Sequence, residues 1–338
     1  TQNPNPLLTG DVWRYYGLST ATNWQNVLSE DLGYLTRTLD ITYIRFLECM
    51  TTQFLNPVIN PVTGQRKFAI VAKPGKPADT CIVDDLMIAC NVASPLVELA
   101  ALYDRLHRMV RLSRAGYASV YEVDKILTAL GASDLDVSSY IAVNDVKRLV
   151  VTAGLQPGRF MGYFSPLNTT VYTDFNNDAQ QALATDYAGV YLNKAIINPV
   201  SDSFMDPQAL IGSYESNKDY IIAANSISEQ DLYAILGHMS VAPAAAMELD
   251  MLSRITALAD IARVSRISVI SLMALMGIWD TSTVISGTAV QQLAEAADLM
   301  RLLATFKISR FSLEELQYLL LNTDAGLVYK PLDADIRL

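Results

Sequence analysis

The chain has 338 residues, half of them apolar and only 18% charged, which excludes a disordered polymer and leaves room for two domains or one elongated helical assembly. With 35 acidic against 25 basic residues its formal charge is −10, so nucleic acid is excluded as the expected partner unless the basic groups gather on one face. The longest uncharged apolar run, residues 267–279, falls short of the roughly 20 residues that a membrane span needs.

In chain order, the loop-like opening "TQNPNPLLTGD" begins at Thr1 and the final "PLDADIRL" does not resolve into an ending, so the chain reads as an excerpt of a longer polypeptide with no signal peptide visible. The aromatic cluster "VWRYYGL" at 12–18 is expected to cap a helix pair over 23–39 and 42–51. Two Asn-Pro steps and a Gly in "FLNPVINPVTGQRK" then break helix and set turns. Residues 67–83, "KFAIVAKPGKPADTCIV", place two β-branched runs around Pro-Gly-Lys-Pro and predict a small hairpin that must pack on the helices. A helical turn is expected over 84–91.

The spacing predicts the strongest helix over 95–114, with Leu99, Leu102, Leu106 and Val110 on its apolar face and Arg105, Arg108 and Arg111 on a separate stripe. Helices are also expected from 119 and over 143–153. The stretch 160–213, rich in Asn, Asp, Pro, Gly and aromatics, is the least regular, with one helical pattern near 179–191. Long helices over 247–264 and 289–307 belong to a second lobe.

A short phrase recurs: Ser, two residues, an acid, then an apolar residue. It stands at Ser119 ("SVYEVDKILTAL"), Ser228 ("SEQDLYAILGHM") and Ser312 ("SLEELQYLLLN"), with looser copies at Thr42 and Ser268. The hydroxyl can accept from the backbone N–H three residues on while the acid reaches back, which is how a capping box opens a helix. The expected fold is therefore mainly α, irregular stacked helix pairs or a helical bundle with two lobes and a small β-hairpin insertion. The lobes are placed at 1–155 and 216–325, joined by 156–215 and followed at 326–338 by the start of a further segment.

Chemistry is sparse. His107 and His238 each lie in a helical pattern with no second ligand at metal spacing, and Cys49, Cys81 and Cys90 are expected to be reduced thiols. The serines stand at helix starts and not in G-x-S-x-G, and the steps "KPGKP" and "QPGRF" lack a phosphate-binding context. The carboxylate pairs Asp84 with Asp85, Glu314 with Glu315 and Asp333 with Asp335 suit helix starts. No catalytic residue, cofactor or metal is expected. Arg105, Arg108 and Arg111 form the candidate interface, because arginine pairs bidentately with carboxylates.

The order "WRYYGL", "LDITYIRFLECMTTQFLNP", a short hairpin ending in an apolar Cys, "LYDRLHRMVRLSRAGYASVYEVDKILTAL", "YLNKAIINPVSDSF" and "FSLEELQYLLLNT" spans residues 11–322. It resembles the α-helical shell region of the A component of bacterial insecticidal toxin complexes, the Tc toxins, which is related to the virulence plasmid A proteins. The helix pair at 102–130 is its most specific element, supported by the Asn-Pro turns after Phe54 and Ile196.

The resemblance implies a non-enzymatic shell segment of a very long toxin chain, secreted or cell-surface associated, that assembles as a homo-pentamer. Its partners would be other segments and protomers of the same subunit, with a host receptor for the whole toxin. No pore-forming segment or toxic enzyme is recognisable here. If a pH change opens such a shell, carboxylate clusters and their arginine partners are expected to carry the response, since two histidines equip the chain poorly. The alternative is a free-standing helical adaptor that binds a protein partner.

Overall fold

The computed structural model describes residues 11–116, 119–176, 180–279 and 287–321. Within them the chain is mainly α-helical with two small antiparallel strand pairs. The segment 326–338, with Asp333 and Asp335, lies outside the described residues. The chain divides into two compact units, Thr1–Val143 with Thr170–Ala184, and Asn144–Thr169 with Thr185–Leu338. The irregular stretch 156–215 is thus shared out between them.

The first unit opens with α1 (Val12–Tyr15), α2 (Trp24–Glu30), α3 (Leu32–Leu39) and α4 (Tyr43–Met50). The helix expected over 23–39 is broken at Asp31, whose carboxylate accepts from Tyr34 N at 2.7 Å and so opens α3 as its N-cap. Thr42 opens α4 in the same way, accepting from Arg45 N at 3.1 Å.

The strands correct two expectations. β1 (Val58–Asn60) and β2 (Gln65–Arg66) pair where only turns were expected, because Asn60 Oδ1 accepts from Val62 N at 3.0 Å and Thr63 N at 3.3 Å and folds the chain back. β3 (Phe68–Ala72) pairs with β4 (Leu86–Cys90), Phe68 opposite Cys90 and Ala72 opposite Leu86. The hairpin therefore closes beyond residue 83, on the segment expected to be a helical turn. Burial decides it: Leu86 and Ile88 alternate into the core, whereas Ile82 is 61% exposed.

α5 (Pro95–Gly116), α6 (Val120–Ala129) and α7 (Val137–Ala153) follow, and the unit boundary falls inside α7. α7 starts earlier than expected because Asp136 Oδ1 accepts from Ser139 N at 2.7 Å. Leu99, Leu102, Leu106 and Val110 are buried as the spacing predicts, and α5 packs against α1, α2, α6 and β4.

The second unit holds α8 (Pro157–Phe160), α9 (Asp186–Tyr191), α10 (Lys218–Asn225), α11 (Glu229–His238), α12 (Leu249–Ser265), α13 (Val269–Ile278), α14 (Ala289–Ser309) and α15 (Leu313–Leu321). Its axis is α12, buried nearly all round and packed on α8, α10, α11 and α13. Ser228 and Asp231 close a full capping box. Ser312 and Glu315 exchange the same two bonds, at 2.7 and 3.1 Å. At Ser119 the hydroxyl instead accepts from Tyr121 N, one residue early, and Glu122 is exposed. No single helix among the described residues is long and apolar enough to cross a membrane.

Candidate functional site

α5 carries the arginines that the sequence singles out. A three-residue step turns back roughly 60° around a helix, so Arg105 and Arg111 leave α5 roughly 120° apart. The structure separates them accordingly. Arg105 lies over the Phe54 ring, 5.9 Å from its centroid. Arg108 turns to the loop before α7, where its guanidinium pairs with Asp104, with Asp134 at 2.6 Å and with the Leu135 carbonyl at 2.5 Å. Arg114 donates to the Leu39 carbonyl at 2.7 Å and pairs with Asp40, closing the end of α3. Arg111 is exposed and holds no ion-pair partner among the described residues.

Only Arg108 and Arg111 share a feature. They line a half-open groove of about 460 Å³ between the last turns of α5 and the start of α7. Leu112 and Ala115 form its α5 wall, and Leu135, Val137 and Tyr140 the other. The arginine at its base is only 10% exposed and is matched by two aspartates. Asp136, also on the α7 side, accepts from Ser139 N and Ser138 Oγ, both at 2.7 Å. Those bonds hold its carboxyl below the usual range. The cation left unmatched at the groove is Arg111. Such an arrangement can seat an apolar group and offer an anion a planar fork of donors.

Elsewhere in the first unit, buried polar groups hold backbone. The fully buried Asp124 carboxylate accepts from Gln53 N at 2.9 Å, Phe54 N at 2.8 Å and Tyr172 Oη at 2.8 Å. Burial raises its pKa above the ordinary carboxylate value, and those three bonds oppose the rise. Sequence reading passed over this residue. Its signal is an acid on the apolar face of α6, in line with Val120, Val123 and Leu127. Tyr16 Oη similarly donates to the Tyr103 carbonyl at 2.7 Å.

In the second unit the irregular stretch is an aromatic interior. Tyr191, Phe204 and Tyr220 stack in succession with centroids 5.4 and 4.3 Å apart, and Tyr187 meets Tyr191 at a tilt of 34° with centroids 5.3 Å apart. Tyr187 donates to the Phe204 carbonyl at 2.8 Å, Tyr191 to the Leu252 carbonyl at 3.0 Å, and Tyr220 to the Tyr191 carbonyl. Burial pushes the Tyr191 phenol up to about 12.

His107 sits between Tyr15 and Tyr16, its buried Nδ1 without a hydrogen-bond partner among the described residues. Burial first, then Arg111 and Arg108, bring its pKa down to about 4. His238 is lowered by burial alone. All three cysteines are free thiols, and burial pushes Cys49 up to about 12. Of the carboxylate pairs, Asp85 bonds Lys76 at 2.8 Å and Glu315 caps α15. Among the described residues no group of three or more His, Cys, Asp or Glu gathers as a metal site. No protein-family model matches the chain, and no curated protein matches it.

Proposed function

We propose that the chain is a non-enzymatic structural segment of the helical shell of a Tc toxin A subunit, a bacterial assembly that binds host cells and delivers a toxic cargo. The observation that carries the reading is the use made of the buried polar groups. Asp124, Tyr16, Tyr187 and Tyr191 each tie a loop or a helix end to a neighbouring element, and the serines and threonines open helices. A wall of short helices needs such ties, since no single helix buries its apolar face alone. The order of motifs over residues 11–322 supports the same reading by resemblance.

In this reading the partners are other segments and protomers of the same subunit, arranged as a homo-pentamer, with a host receptor for the whole toxin. The pH response of such a shell falls to carboxylates and arginines, since His107 stays neutral until about pH 4. Asp104 is the nearest candidate: burial raises its carboxyl, and Arg108 opposes that rise. Neutralising Arg105, Arg108 and Arg111 together is expected to shift the opening pH, and unchanged opening removes them from the mechanism.

Negative-stain electron microscopy of the full-length parent chain at neutral pH tests the assignment. A large bell-shaped particle with five-fold symmetry is the expected result. A small monomer or dimer overturns it.

A further inference from the structure

We infer that residues 170–176 and 180–184 are the two arms of a releasable strap, fastened to α6 by Tyr172 and able to open while the rest of each unit stays folded. The inference goes beyond the shell reading and does not depend on it. The chain passes between its two units after Val143, after Thr169 and after Ala184, and the last two passages are the ends of this strap. With the strap fastened, folded structure holds the chain at all three passages. With it released, only the passage inside α7 is held.

Burial fastens the strap at one point. Asp174 N donates to the Gln181 carbonyl and Leu183 N to the Tyr172 carbonyl, both at 2.8 Å, and Thr173 bridges to Ala182, so the arms form a two-stranded hairpin. Such a hairpin is marginal in water unless it packs on something larger. Among the described residues of the arms Tyr172 alone is buried, whereas Val171 and all of 180–184 are exposed. The Tyr172 hydroxyl donates to Asp124 at 2.8 Å, its ring lies 4.5 Å from that of Tyr121 between centroids, and Lys125 Nζ stands 5.9 Å from its centroid. Tyr121 Oη adds a bond to the Thr173 carbonyl at 2.7 Å. Tyr121, Asp124 and Lys125 stand at i, i+3 and i+4, so one face of α6 supplies the catch.

The surroundings are closed without the strap. Tyr187 N donates to the Asn168 carbonyl at 3.2 Å, and Thr185 caps α9 through Ala188 N at 3.0 Å, which pins the neck of the strap within the second unit. In the first unit α6 packs on α4 and α5, and Asp124 also holds the Gln53 and Phe54 N–H groups. Opening therefore uncovers one tyrosine and one edge of a carboxylate and leaves the helix packing in place, as a local opening unit requires.

Native-state hydrogen exchange of the 338-residue chain in rising urea tests the strap. The Asp174 and Leu183 amides are expected to be protected about a hundredfold less than those of Leu102 and Leu106 in α5, with a weaker dependence on urea because little surface is exposed when they open. Tyr172→Phe keeps the ring and loses the bond to Asp124, and is expected to raise opening of the arms about fivefold. Tyr172→Ala is expected to abolish protection at Asp174 and Leu183 while α5 and α6 stay protected. Equal protection and equal urea dependence of the arms and α5 in the parent chain overturn the inference. Loss of protection in α5 together with the arms in Tyr172→Ala also overturns it, since the strap would then belong to the core.

Discussion

Tyr15 and His107 stack with ring centroids 5.0 Å apart and planes inclined by 9°, so an imidazole helps to hold α1 on α5. Tyr16 meets the same ring edge-on at 5.9 Å. The ring is neutral in the folded chain down to about pH 4, against 6.5 for an ordinary histidine. As pH falls, the unfolded chain therefore binds this proton first. Stability from His107 is full above about 6.5 and is lost progressively as pH falls toward 4. Allowing for screening at a partly exposed ring, the loss is roughly 1–2 kcal/mol. His107→Phe keeps the stack and removes the proton. Urea midpoints at pH 7 and pH 4.5 should draw closer together in that variant than in the parent, and an unchanged gap would show that the ring contributes no pH dependence.

Asp124 is the second pressure point of the first unit. Removing its carboxylate in Asp124→Ala strands two backbone N–H groups and the Tyr172 hydroxyl in the interior. The expected loss is about 3–5 kcal/mol. Asp124→Asn retains one acceptor but points a donor at donors, so it recovers only part of the loss. Equilibrium urea unfolding of both variants checks the order, and an alanine variant as stable as the parent would show that the three donors find other partners.

Two glycines of the second unit should respond in opposite directions to the same change. A methyl group at Gly162 would collide with the Ser253 carbonyl, which is backbone of α12 and has no room to yield. Gly162→Ala is expected to destabilise by about 1–3 kcal/mol. At Gly237, within α11, an added Cβ meets nothing within 4 Å. Gly237→Ala is expected to stabilise by about 0.5–1 kcal/mol, because glycine weakens a helix interior. Thermal melts of the two variants should move to opposite sides of the parent: a Gly162→Ala melt at or above the parent's would contradict the packing at Gly162, and a Gly237→Ala melt below it would contradict the open space at Gly237.

What could be read from the sequence was local. The spacing of Leu99, Leu102, Leu106 and Val110 revealed α5 and its buried face, because helical periodicity is written in neighbouring residues. The partner of β3 was not legible: "LMIAC" suits helix or strand by composition, and only burial of Leu86 and Ile88 decides. The arginines of α5 were visible, but the commitment of Arg108 depends on Asp134 and Leu135, which the fold brings to it from outside its own helix. Tyr187 and Tyr191 lay in the helical pattern near 179–191, but their meeting with Phe204 and Tyr220 was not legible, because those rings come from other parts of the chain and no local period links them.

The helix starts offer the sharpest comparison of local signal with structure. Ser228 with Asp231 and Thr288 with Gln291 both form complete capping boxes, although only the first carries the acid that marks the phrase in the sequence. Gln291 Oε1 accepts from Thr288 N at 2.8 Å, as the Asp231 carboxylate accepts from Ser228 N at 3.0 Å. Alanine at Ser228 or Thr288 leaves an orphan N–H at the first turn and is expected to cost about 1 kcal/mol at each. Hydrogen exchange at the first turns of α11 and α14 checks this: Ser228→Ala should raise the opening rate at α11 alone and Thr288→Ala at α14 alone, because each box closes only its own helix start. An unchanged rate at α11 in Ser228→Ala would mean that the box does not hold that first turn.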